Sequence, residues 1–237
     1  MPDMLSLQPL RNIHALSAQL GYRLLCAALW LLGLALASPF AQATAPSRSA
    51  QALSAPASEL QRWVVHTGNH ASRPYVLVDK QQARVWVFDA QHQQLASSPA
   101  LLGLARGDHE VPDITTRDVV RLARDARITP AGRFNTEPGV NIQGEPVVWL
   151  DYEAGLAMHR VRPGLAQAAR LKRLAAEVAS AQRVSMGCVV LPVAFYEGVI
   201  QPLLGQQGGV VYVLPEHSPL QSWLARWAQG SQNASAR

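Results

Sequence analysis

The chain has 237 residues, 49% of them apolar and 16% charged, and 21 Lys and Arg against 16 Asp and Glu give a net charge of +5. That length supports one domain with a substantial core. The basic excess forms no block and no stripe interleaved with aromatics, which argues against nucleic acid and fits, weakly, an anionic surface.

Residues 1–43 read as a secretory signal. Arg11 and Arg23 precede an uncharged apolar run from Leu24 to Ala37, and Ala41-Gln42-Ala43 offers the small residues a signal peptidase needs. The run has 14 residues against the about 20 of a spanning helix, so export without a transmembrane anchor after cleavage is expected, to the periplasm or cell wall. Residues 44–72, rich in Ala, Ser and Pro, predict a flexible linker with a short docking segment at Leu60 to Val65.

A folded domain is predicted over 73–216. Tyr75–Asp79 and Ala83–Asp89 are β-rich runs separated by Lys80-Gln81-Gln82, a hairpin by length and pattern, and a third strand is expected near Pro99 to Leu104. Residues 105–127 form a long charged loop of the kind that serves function, and Thr129-Pro-Ala-Gly-Arg-Phe134 makes a tight turn after it. Val147–Asp151 and Gly155–His159 predict another strand pair. Ala166–Ala181, with Leu171, Leu174, Ala175 and Val178 at helical spacing, predicts a helix. Pro192 opens a second helix through Leu204, and Val210–Leu214 reads as a buried strand. Residues 217–237 are a tail with a short helix from Leu220 to Ala228. The class is α+β, mainly β with added helices.

Cys26 lies in the signal, so Cys188 is left without an internal partner. It is a buried inert thiol, an intermolecular bridge or a nucleophile. A nucleophilic thiol needs a base, and among six remaining histidines His159 ends an apolar run, Gly155-Leu-Ala-Met158, as a strand end facing a site does. Gly187 permits a sharp turn that aims backbone amides at an oxyanion, and Ser185 either donates within that turn or stabilises it. His66 and His70 are four apart, but Gly68 and Asn69 argue against one helix face and so against a metal.

The pattern His159, Ser185, Gly187, Cys188, Val189 resembles the L,D-transpeptidase catalytic domain family (the YkuD fold), whose motif is a histidine, a spacer, then Ser/Thr-His-Gly-Cys, an aliphatic residue and Arg or Asn. The resemblance runs from about Tyr75 to Pro215. It implies a β-sandwich or barrel with one inserted helix and one helix after the nucleophile. It also implies a thioester enzyme that acts on peptidoglycan stem peptides and uses no metal or cofactor. Carried over, Cys188 is the nucleophile, His159 the general base and acid, the Arg160 carbonyl the group orienting His159, and Gly187 part of the oxyanion hole.

Three departures stand out. Met186 replaces a histidine, Val190 replaces Arg or Asn, and 28 residues, including the predicted helix, separate His159 from Cys188. The substrate's negative charge then needs another cation, for which Arg133, Arg160, Arg162 and Arg183 are candidates, with Ser185 as a further contact. The alternatives are the same thiol chemistry with water as acceptor, or a wall-binding domain without turnover.

Overall fold

A computed structural model describes residues 51–109 and 122–235; the predicted signal, the first linker residues and residues 110–121 of the long loop lie outside them. The first described element corrects the linker. Helix α1 (Ala55–Thr67) is capped by Ser54, whose Oγ accepts from the Ala57 amide and donates to Asp79 Oδ2 at 2.6 Å. Pro56 sits in its first turn, and Ala57, Leu60 and Val64 share the buried face. The same Ser and Pro that suggest a linker are here helix-start signals, and of the predicted docking segment Leu60 and Val64 lie on the helix's inner face while Arg62 and Val65 are exposed.

The hairpin forms as predicted, with β1 (Tyr75–Asp79) antiparallel to β2 (Arg84–Phe88). The third strand lies earlier than expected, at β3 (Gln94–Pro99), and only the two-residue β4 (Leu102–Gly103) falls in the predicted window. Next come β5 (Gly132–Asn135), β6 (Glu137–Val140), β7 (Pro146–Asp151) and β8 (Leu156–Arg160). The inserted helix, α2 (Gln167–Ala176), is shorter than predicted because Glu177 turns left-handed (φ 50°) and ends it. Short strands β9 (Arg183–Ser185) and β10 (Val189–Leu191) flank Cys188.

The helix after the cysteine, α3, runs through Val193–Phe195, a wider π turn at Tyr196–Ile200, and Gln201–Leu204. Pro202 has no N–H and its ring crowds the carbonyl four residues earlier, which accounts for the widened turn. Strand β11 (Val210–Val213) and helix α4 (Leu220–Ser235) follow, so the predicted short tail helix is longer than expected.

Two open sheets form a sandwich, not a barrel. One has the order β3-β2-β1-β11-β5 and the other β10-β8-β7-β6. Alternation assigns the faces. Val76, Val78, Val85, Val211 and Val213 of the first sheet meet Val148, Leu156, Met158, Val189 and Leu191 of the second, with Tyr196, Ile200 and Leu204 of α3. The outer face of the first sheet, Tyr75, Leu77, Trp86 and Tyr212, is covered by Leu60 and Val64 of α1 and Trp223 and Trp227 of α4. The outer face of the second sheet carries Cys188. Among the described residues, no helix is long and apolar enough to cross a membrane.

Candidate active site

Strands β10 and β8 are parallel neighbours, with Val189 opposite Met158, Val190 opposite His159 and Leu191 opposite Arg160. Residues paired across strands project to one side, so His159 and Val190 share the outer face. One step back in that register sets Cys188 beside Ala157, again on this face. Cys188 and His159 are thus diagonal neighbours, two residues apart in register, on the same face of the sheet.

The histidine is well defined. Its Nδ1 is 2.7 Å from the Arg160 carbonyl oxygen, so Nδ1 carries the proton and donates, and Nε2 is left as the acceptor. Burial pushes its pKa down to about 4; the Arg160 carbonyl opposes the shift and the Arg162 and Arg170 cations add to it. His159 is a neutral base at physiological pH. The thiol is half-buried and free. Burial raises its pKa, while the Ala157 amide, the Arg162 cation and its own amide favour the thiolate. Its Sγ donates to the Gly155 carbonyl at 3.6 Å, and no hydrogen bond joins it to the imidazole.

The turn before Cys188 is built tightly. Ser185 Oγ donates to the Cys188 carbonyl at 2.7 Å and accepts from the Gly187 amide at 3.1 Å. Ser185 therefore shapes the turn, and the Gly187 amide is committed to it, which corrects its assignment to the oxyanion hole. Thr129 locks the turn from below, with Oγ1 donating to the Gly187 carbonyl at 2.6 Å and accepting from the Gly103 amide. Gly187 has φ +144°, and a Cβ there would lie 2.8 Å from the Ile128 carbonyl oxygen. Gly187→Ala is expected to cost about 2–3 kcal/mol and lower Tm by about 5–10 °C. Thermal melts check this; a Tm within about 2 °C of wild type would show that the turn yields freely.

The four arginine candidates separate. Arg162 lies at the site, acting on both Cys188 and His159, with Glu145 Oε2 3.5 Å from its Nε. Arg160 turns to Glu145 at 2.8 Å and Glu197 at 3.6 Å. Arg183 is buried away from the site, bonded to Glu216 and to the Lys80 carbonyl, both at 2.6 Å. Arg133 pairs with Tyr212 on the opposite face of the other sheet, where it grips Asn69 and Asn135. Thr129, Glu145 and Arg170 belong to the site's surroundings and were not among the sequence candidates. The Thr129-Pro turn was the one available signal, for Thr129.

The inserted helix walls the site. Leu174 of α2 packs with Val190, Val161 and Leu101, and Cys188 lies against that cluster. Val190 is apolar where the resembled motif has a polar residue because the helix covers it.

No family model and no curated protein sequence matches the chain. Among solved structures, the catalytic domain of the L,D-transpeptidase of E. faecium is 16% identical over 61% of this chain and 99% of that one, with a TM-score of 0.33. A fused Zn-dependent amidase/peptidase/peptidoglycan-binding protein from Clostridium acetobutylicum is 12% identical over 65% of this chain, with a TM-score of 0.33. The helical cell shape determining protein Pgp2 of Campylobacter jejuni is 14% identical over 62%, with a TM-score of 0.37. This chain spans 62% and 49% of the latter two. At such identities and TM-scores the chemistry has to be read from the site itself.

Proposed function

We propose that this chain is an exported cysteine acyl-transfer enzyme, a divergent member of the L,D-transpeptidase family, that acts on peptidoglycan stem peptides through a thioester on Cys188. The observation that carries the reading is the 2.7 Å bond from His159 Nδ1 to the Arg160 carbonyl, which leaves Nε2 as a base on the face that bears the thiol. Rotation of the Cys188 side chain exchanges the Gly155 carbonyl for Nε2. His159 takes the thiol proton as sulfur bonds the scissile carbonyl carbon. The C–N bond then breaks, and His159 returns the proton to the leaving amine. An amine or water resolves the thioester with His159 again as base. With the Gly187 amide held by Ser185, the Cys188 amide is the candidate oxyanion donor.

A carbapenem should acylate the protein, with one adduct in its intact mass and none on Cys188→Ala. Absence of an adduct under conditions that acylate a control transpeptidase would overturn the reading. Muropeptide products then separate the acceptors, since dimers mean transfer and shortened monomers mean hydrolysis. The thiol's bond to Gly155 favours a second reading, a wall-binding domain without turnover. Equal sacculus binding by wild type and Cys188→Ser, with turnover in neither, selects it.

A further inference from the structure

The row that holds Cys188 continues across the sheet. Ala157 lies opposite Trp149 of β7, and Trp149 lies opposite Glu137 of β6, so all four project from the same face. Ala157 is the small residue between the thiol and the indole. Trp149 leans over Gly139, where a Cβ would come within 2.5 Å of the indole Nε1, so only glycine lets the ring lie against the edge strand. Tyr152 stands nearly perpendicular to it, with ring centroids 5.1 Å apart at 79°, and is 71% exposed. The turn Tyr152–Gly155 carries this tyrosine at one end and, at the other, the carbonyl that holds the Cys188 thiol.

The geometry points to a saccharide-stacking subsite, with Trp149 and Tyr152 receiving a pyranose ring of the wall glycan beside the nucleophile. The apolar face of a pyranose presents C–H groups to the negative face of an indole, and a second ring at right angles bounds it. Glu137, the exposed cross-strand neighbour of Trp149, offers acceptors to sugar hydroxyls. A peptide strand is a poor occupant because Pro138 lies on this edge strand and interrupts the donors that strand addition uses. Trp149 is two strand spacings from Cys188, about 10 Å, the span of about three extended residues. A stem peptide in the thiol site can thus keep its attached sugar on the platform. The inference rests on the proposed function for the polymer's identity, but the stacking itself does not require turnover.

The test measures binding of peptide-free N-acetylglucosamine oligomers to the full chain carrying Cys188→Ser, by calorimetry. Saturable binding is expected, weakened about tenfold by Trp149→Ala and about threefold by Tyr152→Ala. Tyr152 is an exposed turn residue whose removal leaves the fold standing, so its effect holds even if Trp149→Ala unfolds. No binding, or equal affinity in a folded variant, overturns the inference. So does a dimer that Trp149→Ala dissolves in the absence of any glycan binding, since the platform would then belong to a second copy of the chain. Because the assay lacks the thiol, a failed carbapenem capture leaves this result intact, and the reverse also holds.

Discussion

Alkylation of Cys188 by iodoacetamide should accelerate steadily through neutral pH and show no plateau there. Burial raises the thiol pKa and lowers that of His159 to about 4, so the resting pair is a neutral thiol beside a neutral imidazole. A preformed thiolate–imidazolium pair would instead alkylate at a constant rate from acid pH upward. The sign follows from each group. A histidine whose folded pKa is lowered is already a base above that value, and a thiol whose pKa is raised stays protonated into the alkaline range.

Acyl transfer, in which His159 removes the proton during attack, should therefore hold a broad plateau in kcat/KM, falling on the acid side near pH 4. His159→Gln should cost about 10²–10⁴-fold in acylation while changing iodoacetamide reactivity much less, since that reagent needs only the thiolate. A flat alkylation profile from pH 5 upward would refute the neutral pair.

Much of this arrangement was legible in the residues. The hairpin at Tyr75, the strand pair ending at His159 and the helices on either side of Cys188 follow from hydrophobic period and from Gly and Pro placement. What stayed hidden depends on long-range packing. Ser54 and Pro56 have the same composition in a linker as in a helix start, and only the buried face of Ala57, Leu60 and Val64 against β1 decides between them. Arg183 beside the motif looks like a substrate contact until β9 places it over Glu216, 33 residues away. Val190 reads in sequence as the loss of a polar contact to the substrate. In the fold it is the floor beneath the inserted helix, and the cations near His159 come from Arg162 and from Arg170 of that helix.

Removing the Asp108 carboxylate should be among the most damaging single changes in the chain. Lys80 is fully buried and bonds Asp108 Oδ1 at 3.0 Å, the Thr129 carbonyl at 3.1 Å and the Gly107 carbonyl, with Glu216 at 3.8 Å. Asp108 also accepts the amides of Glu216, His217 and Ser218. Asp108→Ala strands three amides and leaves the buried ammonium with two carbonyls and only the more distant Glu216 as counter-charge, and about 3–5 kcal/mol of stability should be lost in urea unfolding. Lys80→Met with Asp108→Leu should lose less than the single change, because the three stranded amides are common to both and the double variant no longer buries an ammonium short of its nearest carboxylate. A larger loss in the double variant would show that the charges themselves hold the fold.

The acid dependence has a definite sign. Burial alone would raise the Asp108 pKa, but the Glu216 and Ser218 amides and Lys80 outweigh it and hold the carboxyl well below its usual range. A depressed carboxylate contributes stability that is complete above the unfolded pKa of about 3.9 and is lost as pH falls below it. The stability of wild type should therefore fall below about pH 4 more steeply than that of Asp108→Asn. Thr129 ties this network to the nucleophile, since its carbonyl receives Lys80 and its hydroxyl holds Gly187. Partial loosening should thus reach the Cys188 turn, and Asp108→Asn should slow carbapenem acylation at a pH where the protein is still folded.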